Sequence, residues 1–172
     1  MASLGRTMTA VDKRIAPLLQ TAVFTVLVPG TVAGFVPRML RETSIVQVSD
    51  GQRWAAFAVI ALGIAIYLYT AFWGFAMIGG GTPAPIAPPK TLVVQGLHRF
   101  VRNPMYIGVL LVVAGQAWLF WSKALCVYAA LLWLAFHLFV MTYEEPALRR
   151  QFGESYERYR AAVPRWIPKI RL

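Results

Sequence analysis

Four stretches of this chain run without a charged residue for about the length needed to cross a bilayer: residues 15–37, 54–78, 104–121 and 124–143. About 20 apolar residues in helical form match a hydrocarbon core of ~30 Å. Inside that core every backbone N–H and C=O must find a partner within the chain, so an apolar run of this length folds as a helix. Composition agrees: only 14% of the 172 residues are charged and 58% are hydrophobic, against roughly a quarter charged in soluble domains. The expectation is an all-α integral membrane protein with about four transmembrane helices in a single membrane domain, 1–172.

The first run follows a basic segment with Arg6, Lys13 and Arg14. It is too long for a signal-peptide core and has no clean small-residue cleavage site, so it reads as an anchor. Pro29–Gly30 in its middle and Gly34 nearby predict a kink, with neighbouring helices satisfying the freed carbonyls. Residues 38–53 form a polar connection carrying charges of both signs. In the second run, Ala55, Ala56, Gly63 and Gly74 would allow close helix contact. Small-residue faces on helices one and two would also permit a homodimer. Residues 79–90, rich in Gly and Pro, cannot continue a helix. Their glycines lack a following Walker Lys–Ser/Thr pair, so they read as a semi-rigid loop, not a phosphate cradle. This loop separates an N-terminal pair of helices (1–78) from a C-terminal core (79–172).

Pro104 suits the first turn of a third helix, with Asn103 at its N-cap. Only Ser122–Lys123 separate that helix from the fourth, so the two form a tight antiparallel hairpin. Both ends of the hairpin then lie on one side of the membrane, which brings His98, Arg99 and Arg102 to the same face as Glu144 and Glu145. The basic residues of loops and termini place that face, and both termini, in the cytoplasm. From Pro146 onward, Leu148, Phe152, Tyr156 and Tyr159 recur at helical spacing among charged residues, predicting an interfacial amphipathic helix. Residues 163–168 follow as a rigid tail with an interfacial Trp.

The net charge of +10 fits loops facing anionic lipid. No basic-aromatic module for nucleic acid is present. The single cysteine, Cys126, excludes an internal disulfide and reads as a packing residue. His137 has no Cys or carboxylate at ligand spacing and reads as a buried hydrogen-bonding residue. No HExxH, paired Cys or Ser–His–Asp pattern supports metal hydrolysis or serine chemistry. The polar knots at the two ends of the hairpin have two readings. One is a structural ion-pair network; the other is a functional site, the default for ionisable clusters at a membrane edge. Tyr106, Tyr156 and Tyr159 could be ordinary interfacial tyrosines.

Gly96-x-His98-Arg99-x-x-Arg102-Asn103-Pro104-x-Tyr106-x-Gly108 is followed by Glu144-Glu145-x-x-Leu148-x-x-x-Phe152-Gly153-x-x-Tyr156-x-x-Tyr159, then Val163-Pro164 and Pro168. This pair of motifs, over roughly residues 83–168, resembles the isoprenylcysteine carboxyl methyltransferase and phospholipid methyltransferase superfamily. Asn103 stands where the family more often has His, as in many bacterial members. The resemblance implies an integral membrane enzyme, in a bacterial inner membrane, that uses S-adenosylmethionine without a Rossmann domain. It implies cofactor binding by His98, Arg99, Tyr106, Glu144 and Glu145. Arg102 and Glu145 would take catalytic roles, with Arg102, Tyr156 and Tyr159 toward a lipid-like substrate and no metal. The acceptor is left open among carboxylate, thiol and amine. Two other readings use the same residues: a non-catalytic lipid-binding or scaffold protein, and a relative of NADPH-dependent sterol reductases.

Overall fold

The computed structural model describes residues 12–41, 48–78 and 91–169. The basic N-terminal residue Arg6, part of the 38–53 connection and the Gly/Pro loop 79–90 lie outside the described residues. Among the described residues the chain is wholly helical: α1 (Asp12–Leu27), α2 (Val36–Leu40), α3 (Asp50–Leu68), α4 (Pro104–Leu119), α5 (Lys123–Phe139), α6 (Glu145–Phe152) and α7 (Glu154–Ala162). Three helices are long and apolar enough to cross a membrane: Pro17–Leu40, Asp50–Gly74 and Lys123–Phe152. The third expected crossing, Pro104–Leu119, is a shorter apolar helix.

Three of the helix junctions are widened π-type turns. Thr31–Phe35 joins α1 to α2, Tyr69–Ile78 extends α3, and Val140–Glu144 joins α5 to α6. The first of these realises the irregularity that Pro29–Gly30 predicted, and its carbonyls are captured as expected. Gln116 Nε2 donates to the Ala33 carbonyl at 2.7 Å and Tyr128 Oη to that of Val32 at 2.8 Å. Such capture is what allows a broken hydrogen-bond ladder at membrane depth.

Two boundaries differ from the sequence reading. The second helix starts at Asp50, inside the expected polar connection, because Ser49 and Gln52 form a reciprocal capping box. The fourth helix does not stop at Tyr143. The wide turn before Pro146 absorbs the missing N–H, and the helix runs on to Phe152. The amphipathic segment is also two helices. Gly153, at φ 53° and ψ −127°, breaks it between α6 and α7, a conformation open essentially to glycine alone.

The α3–α4 crossing is held by glycines. A Cβ on Gly63 would stand 2.6 Å from the Gly108 carbonyl oxygen, and one on Gly115 would stand 2.6 Å from Ile60 Cγ1 and 3.2 Å from the Ala56 carbonyl oxygen. These pairings run in opposite directions along the two helices, so α3 and α4 are antiparallel. The small-residue face of the second helix is therefore used within the chain, backbone against backbone. Tyr67, Ala71, Met105 and Val109 form the adjoining core, flanked by Phe72, Tyr106 and Phe136. Elsewhere large apolar side chains face outward, as lipid-exposed helices require: Val26 is 72% and Trp54 71% exposed.

Candidate active site

The site is built where the hairpin's two open ends meet the C-terminal segment. A single 3₁₀ turn, Gly96–Arg99, precedes α4. Gly96 sits at φ 59°, and a Cβ there would lie 2.6 Å from the Tyr69 hydroxyl. Only glycine lets the turn press against the wide turn after α3. The chain beyond α7 then folds back along this segment. Arg102 N–H donates to the Pro164 carbonyl at 2.9 Å, and Lys169 N–H to that of Phe100 at 3.0 Å. Asn103 occupies the N-cap position of α4, but its side chain makes no cap bond. Its Nδ2 instead donates to the Arg165 carbonyl at 3.1 Å, tying the tail down.

This docking brings two guanidinium groups to one carboxylate. Arg102 Nη1 donates to Glu145 Oε1 at 2.8 Å, while Arg165 Nε and Nη2 take Glu145 Oε1 and Oε2 at 2.7 and 3.0 Å. Tyr156 Oη lies 3.2 Å from Arg102 Nη1. The Arg102 and Glu145 side chains are only 10% and 8% exposed. The cluster thus holds two cations and one anion in a largely dry place, and Arg102 Nε is buried without a hydrogen-bond partner. A buried cation excess with a spare donor is the electrostatic signature of a site for an anionic group. The carboxylate of an amino-acid-like cofactor fits that requirement.

Glu144, one residue earlier in the helix, turns to a different partner. Tyr106 Oη donates to its Oε1 in a short hydrogen bond. The Tyr106 ring packs at 4.6 Å on Phe136, with Trp166 6.4 Å away. Trp166 Nε1 donates to His137 Nδ1 at 2.9 Å, and His137 stacks on Trp133 at 5.3 Å. His137 makes the hydrogen bond expected of it but is half-buried, not buried.

Burial sets the protonation states on the tail side. His98 is 6% exposed, packed near Gly74, and burial pushes its pKa down from 6.5 to about 4. It is neutral at pH 7. Tyr159 donates to the His98 carbonyl at 2.8 Å, and burial raises the pKa of both Tyr156 and Tyr159. Neither phenol is a base near neutral pH. The Arg165 guanidinium is held charged first by its hydrogen bond to Glu145.

Of the residues that the sequence singled out, the structure gathers Arg102, Glu145 and Tyr156 in one cluster and pairs Tyr106 with Glu144. His98 and Tyr159 meet on the adjoining turn. Arg99 is exposed and takes no part in the network around Glu145: at three residues per turn, a 3₁₀ helix points neighbours in different directions. Arg165 and the Trp166–His137 bond were not foreseen. The available signal was an arginine and a tryptophan set between Pro164 and Pro168, in a tail otherwise rigid and apolar.

Residues 52–155 match the phospholipid methyltransferase family. The chain is also similar to protein-S-isoprenylcysteine O-methyltransferase of Schizosaccharomyces pombe, 36% identical over 80 residues. That alignment covers 46% of this chain and 34% of the relative, so the likeness spans about a third of the curated protein. No solved structure matches the chain.

Proposed function

Because the chain belongs to the phospholipid methyltransferase family, we propose that it is an integral membrane enzyme transferring a methyl group from S-adenosylmethionine to a lipid-like acceptor. The site would lie at the cytoplasmic membrane face, in keeping with the basic residues on that side. The observation that carries the reading is the buried Arg102–Glu145–Arg165 cluster, with its excess cation and spare Arg102 donor, at the membrane-edge end of the hairpin.

When bound, S-adenosylmethionine supplies a methyl carbon already activated by its sulfonium, so transfer requires in-line positioning more than acid or base chemistry. The roles of the chain's own residues follow from their partners. Arg102 and Arg165 offer the positive field for the cofactor carboxylate. Glu144, carried on Tyr106, faces the opposite need and accepts hydrogen bonds from the ammonium or ribose. Glu145 holds both guanidinium groups in register. Neutral His98 and the two protonated tyrosines complete a hydrogen-bonding wall that limits water. Arg99, exposed on the turn, would join on cofactor entry from solution.

The acceptor decides which group must move a proton. A carboxylate or thiolate needs none. An amine would need a base, and Glu145, shared by two guanidinium groups, is a poor one. Glu144, with a neutral phenol as partner, is better suited.

Calorimetry on detergent-purified protein tests the reading. Wild type is expected to bind S-adenosylmethionine saturably, and Arg165→Ala to lose at least tenfold in affinity while keeping its helical circular dichroism. A folded wild type that binds no S-adenosylmethionine, with or without added lipid, would overturn it.

A further inference from the structure

At the hairpin's other end, away from the polar cluster, an open groove of about 570 Å³ runs between α4 and α5. Its floor is made by small side chains, Ala114, Ala117 and Ala129, and its flanks by Trp118 and Trp121. Alanines on the two facing helices keep the groove open as a channel. In a hairpin immersed in a bilayer, that channel opens to lipid rather than water.

The mouth of the groove is charged. Lys123 lines it and is exposed. A cation at a membrane interface favours an anionic headgroup over a zwitterionic one. Trp121 supplies a third observation. Among the described residues it is the only non-glycine with positive φ, 48°. A bulky residue is strained there where glycine would be relaxed, and the conformation is kept at a position that lines the groove.

We propose that this groove is a binding site for one phospholipid with a net-negative headgroup, an acyl chain lying over the alanines and the phosphate at Lys123. The occupant is a structural or regulatory lipid of that membrane face, separate from any methyl acceptor. The Trp pair brackets the chain at the depth where aromatic side chains favour the interface.

Native mass spectrometry of the full chain, titrated with phosphatidylglycerol and with phosphatidylcholine of equal chain length, tests the site. One phosphatidylglycerol is expected to be retained several-fold more tightly than phosphatidylcholine. Lys123→Gln should weaken phosphatidylglycerol about fivefold, the worth of one interfacial cation, and leave phosphatidylcholine unchanged. Ala114→Trp, on an exposed position, should fill the groove and abolish retention; Ala129→Trp serves if that variant fails to fold. Equal retention of the two lipids, or phosphatidylglycerol binding that survives a folded groove-filling variant, would overturn the proposal. So would efficient Cys126–Cys126 crosslinking in vesicles, since Cys126 lines the groove and the reaction would show a second copy there.

Discussion

The cluster of two arginines on one glutamate makes an asymmetric demand on stability. Replacing Glu145 by Gln leaves two guanidinium groups facing each other in a site where Arg102 and Glu145 are 10% and 8% exposed. Breaking a buried pair from one side costs roughly 3 to 5 kcal/mol. Arg102→Met is milder. The Glu145–Arg165 pair survives with both of its bonds, so the loss is the charge-assisted hydrogen bond to Glu145, roughly 1.5 to 3 kcal/mol, together with the longer bond to Tyr156. The two changes should not add. Both arginines contact Glu145 Oε1, so their charged ends lie about 5 Å apart and repel by about 3 kcal/mol at an effective dielectric constant near 20 once the carboxylate is gone. Arg102→Met should therefore destabilise the wild type yet stabilise Glu145→Gln by about 1 to 2 kcal/mol once packing losses are allowed. A double-mutant cycle read by reversible denaturation in mixed micelles measures all four corners. If Arg102→Met destabilises both backgrounds equally, Glu145 is not the hub of a cation-rich cluster and the electrostatic reasoning fails.

Three further outcomes follow from other parts of the molecule. Gly63→Ala puts a Cβ 2.6 Å from the Gly108 carbonyl oxygen, so α3 and α4 must separate; a loss of about 1 to 3 kcal/mol should appear as a lower thermal midpoint, and an unchanged midpoint would refute the crossing. His98 has its folded-state pKa depressed from 6.5 to about 4. Its contribution is fully present above pH 6.5 and is lost as pH falls toward 4, by roughly 3 kcal/mol; His98→Gln should flatten the thermal midpoint between pH 6.5 and 5 relative to wild type, and parallel pH curves would contradict this. Tyr106→Phe deprives Glu144 of its donor and should cost about 1 to 3 kcal/mol. On the proposed function it should also weaken S-adenosylmethionine several-fold with little change in the acceptor KM, whereas unchanged cofactor affinity would remove Glu144 from the site.

Span lengths made the architecture readable from sequence. A two-residue connection between two apolar runs permits only a hairpin, and the meeting of Arg102 with Glu145 is a consequence of that geometry. The start of α3 was also written in the chain, as Ser49 and Gln52 three residues apart, and was masked by reading the connection as polar to Arg53. The widened turns were less accessible. Pro29, Pro37 and Pro146 announce a disturbance, but its form depends on distant groups such as Gln116 and Tyr128 that capture the loosened carbonyls. Arg165 was hidden for the opposite reason. Its role arises wholly from the return of the tail along residues 100–103, a tertiary event with no periodic signature. Arg99 shows the limit of adjacency, since neighbours on a tight turn need not share a face.

The position of the site at the end of the hairpin has an electrostatic reason. A cluster carrying one excess positive charge would be prohibitively costly at the bilayer centre, and fully in water it would be screened too strongly to hold an anion. The membrane edge lies between those limits, and the chain reaches it by continuing one helix instead of ending it. Because the wide turn at Val140–Glu144 lets α5 pass into α6 despite Pro146, the two glutamates sit on an unbroken rod and not on a loose loop. Consecutive positions on that rod diverge in direction, sending Glu144 to Tyr106 and Glu145 to the arginines. One acidic dipeptide thereby takes two sets of partners, a tyrosine hydroxyl on one side and two guanidinium groups on the other. The returning tail, tied to Phe100, Arg102 and Asn103, brings Arg165 to the second set. The polar chemistry is therefore assembled from three distant segments, and the hairpin's fixed length aligns the first two.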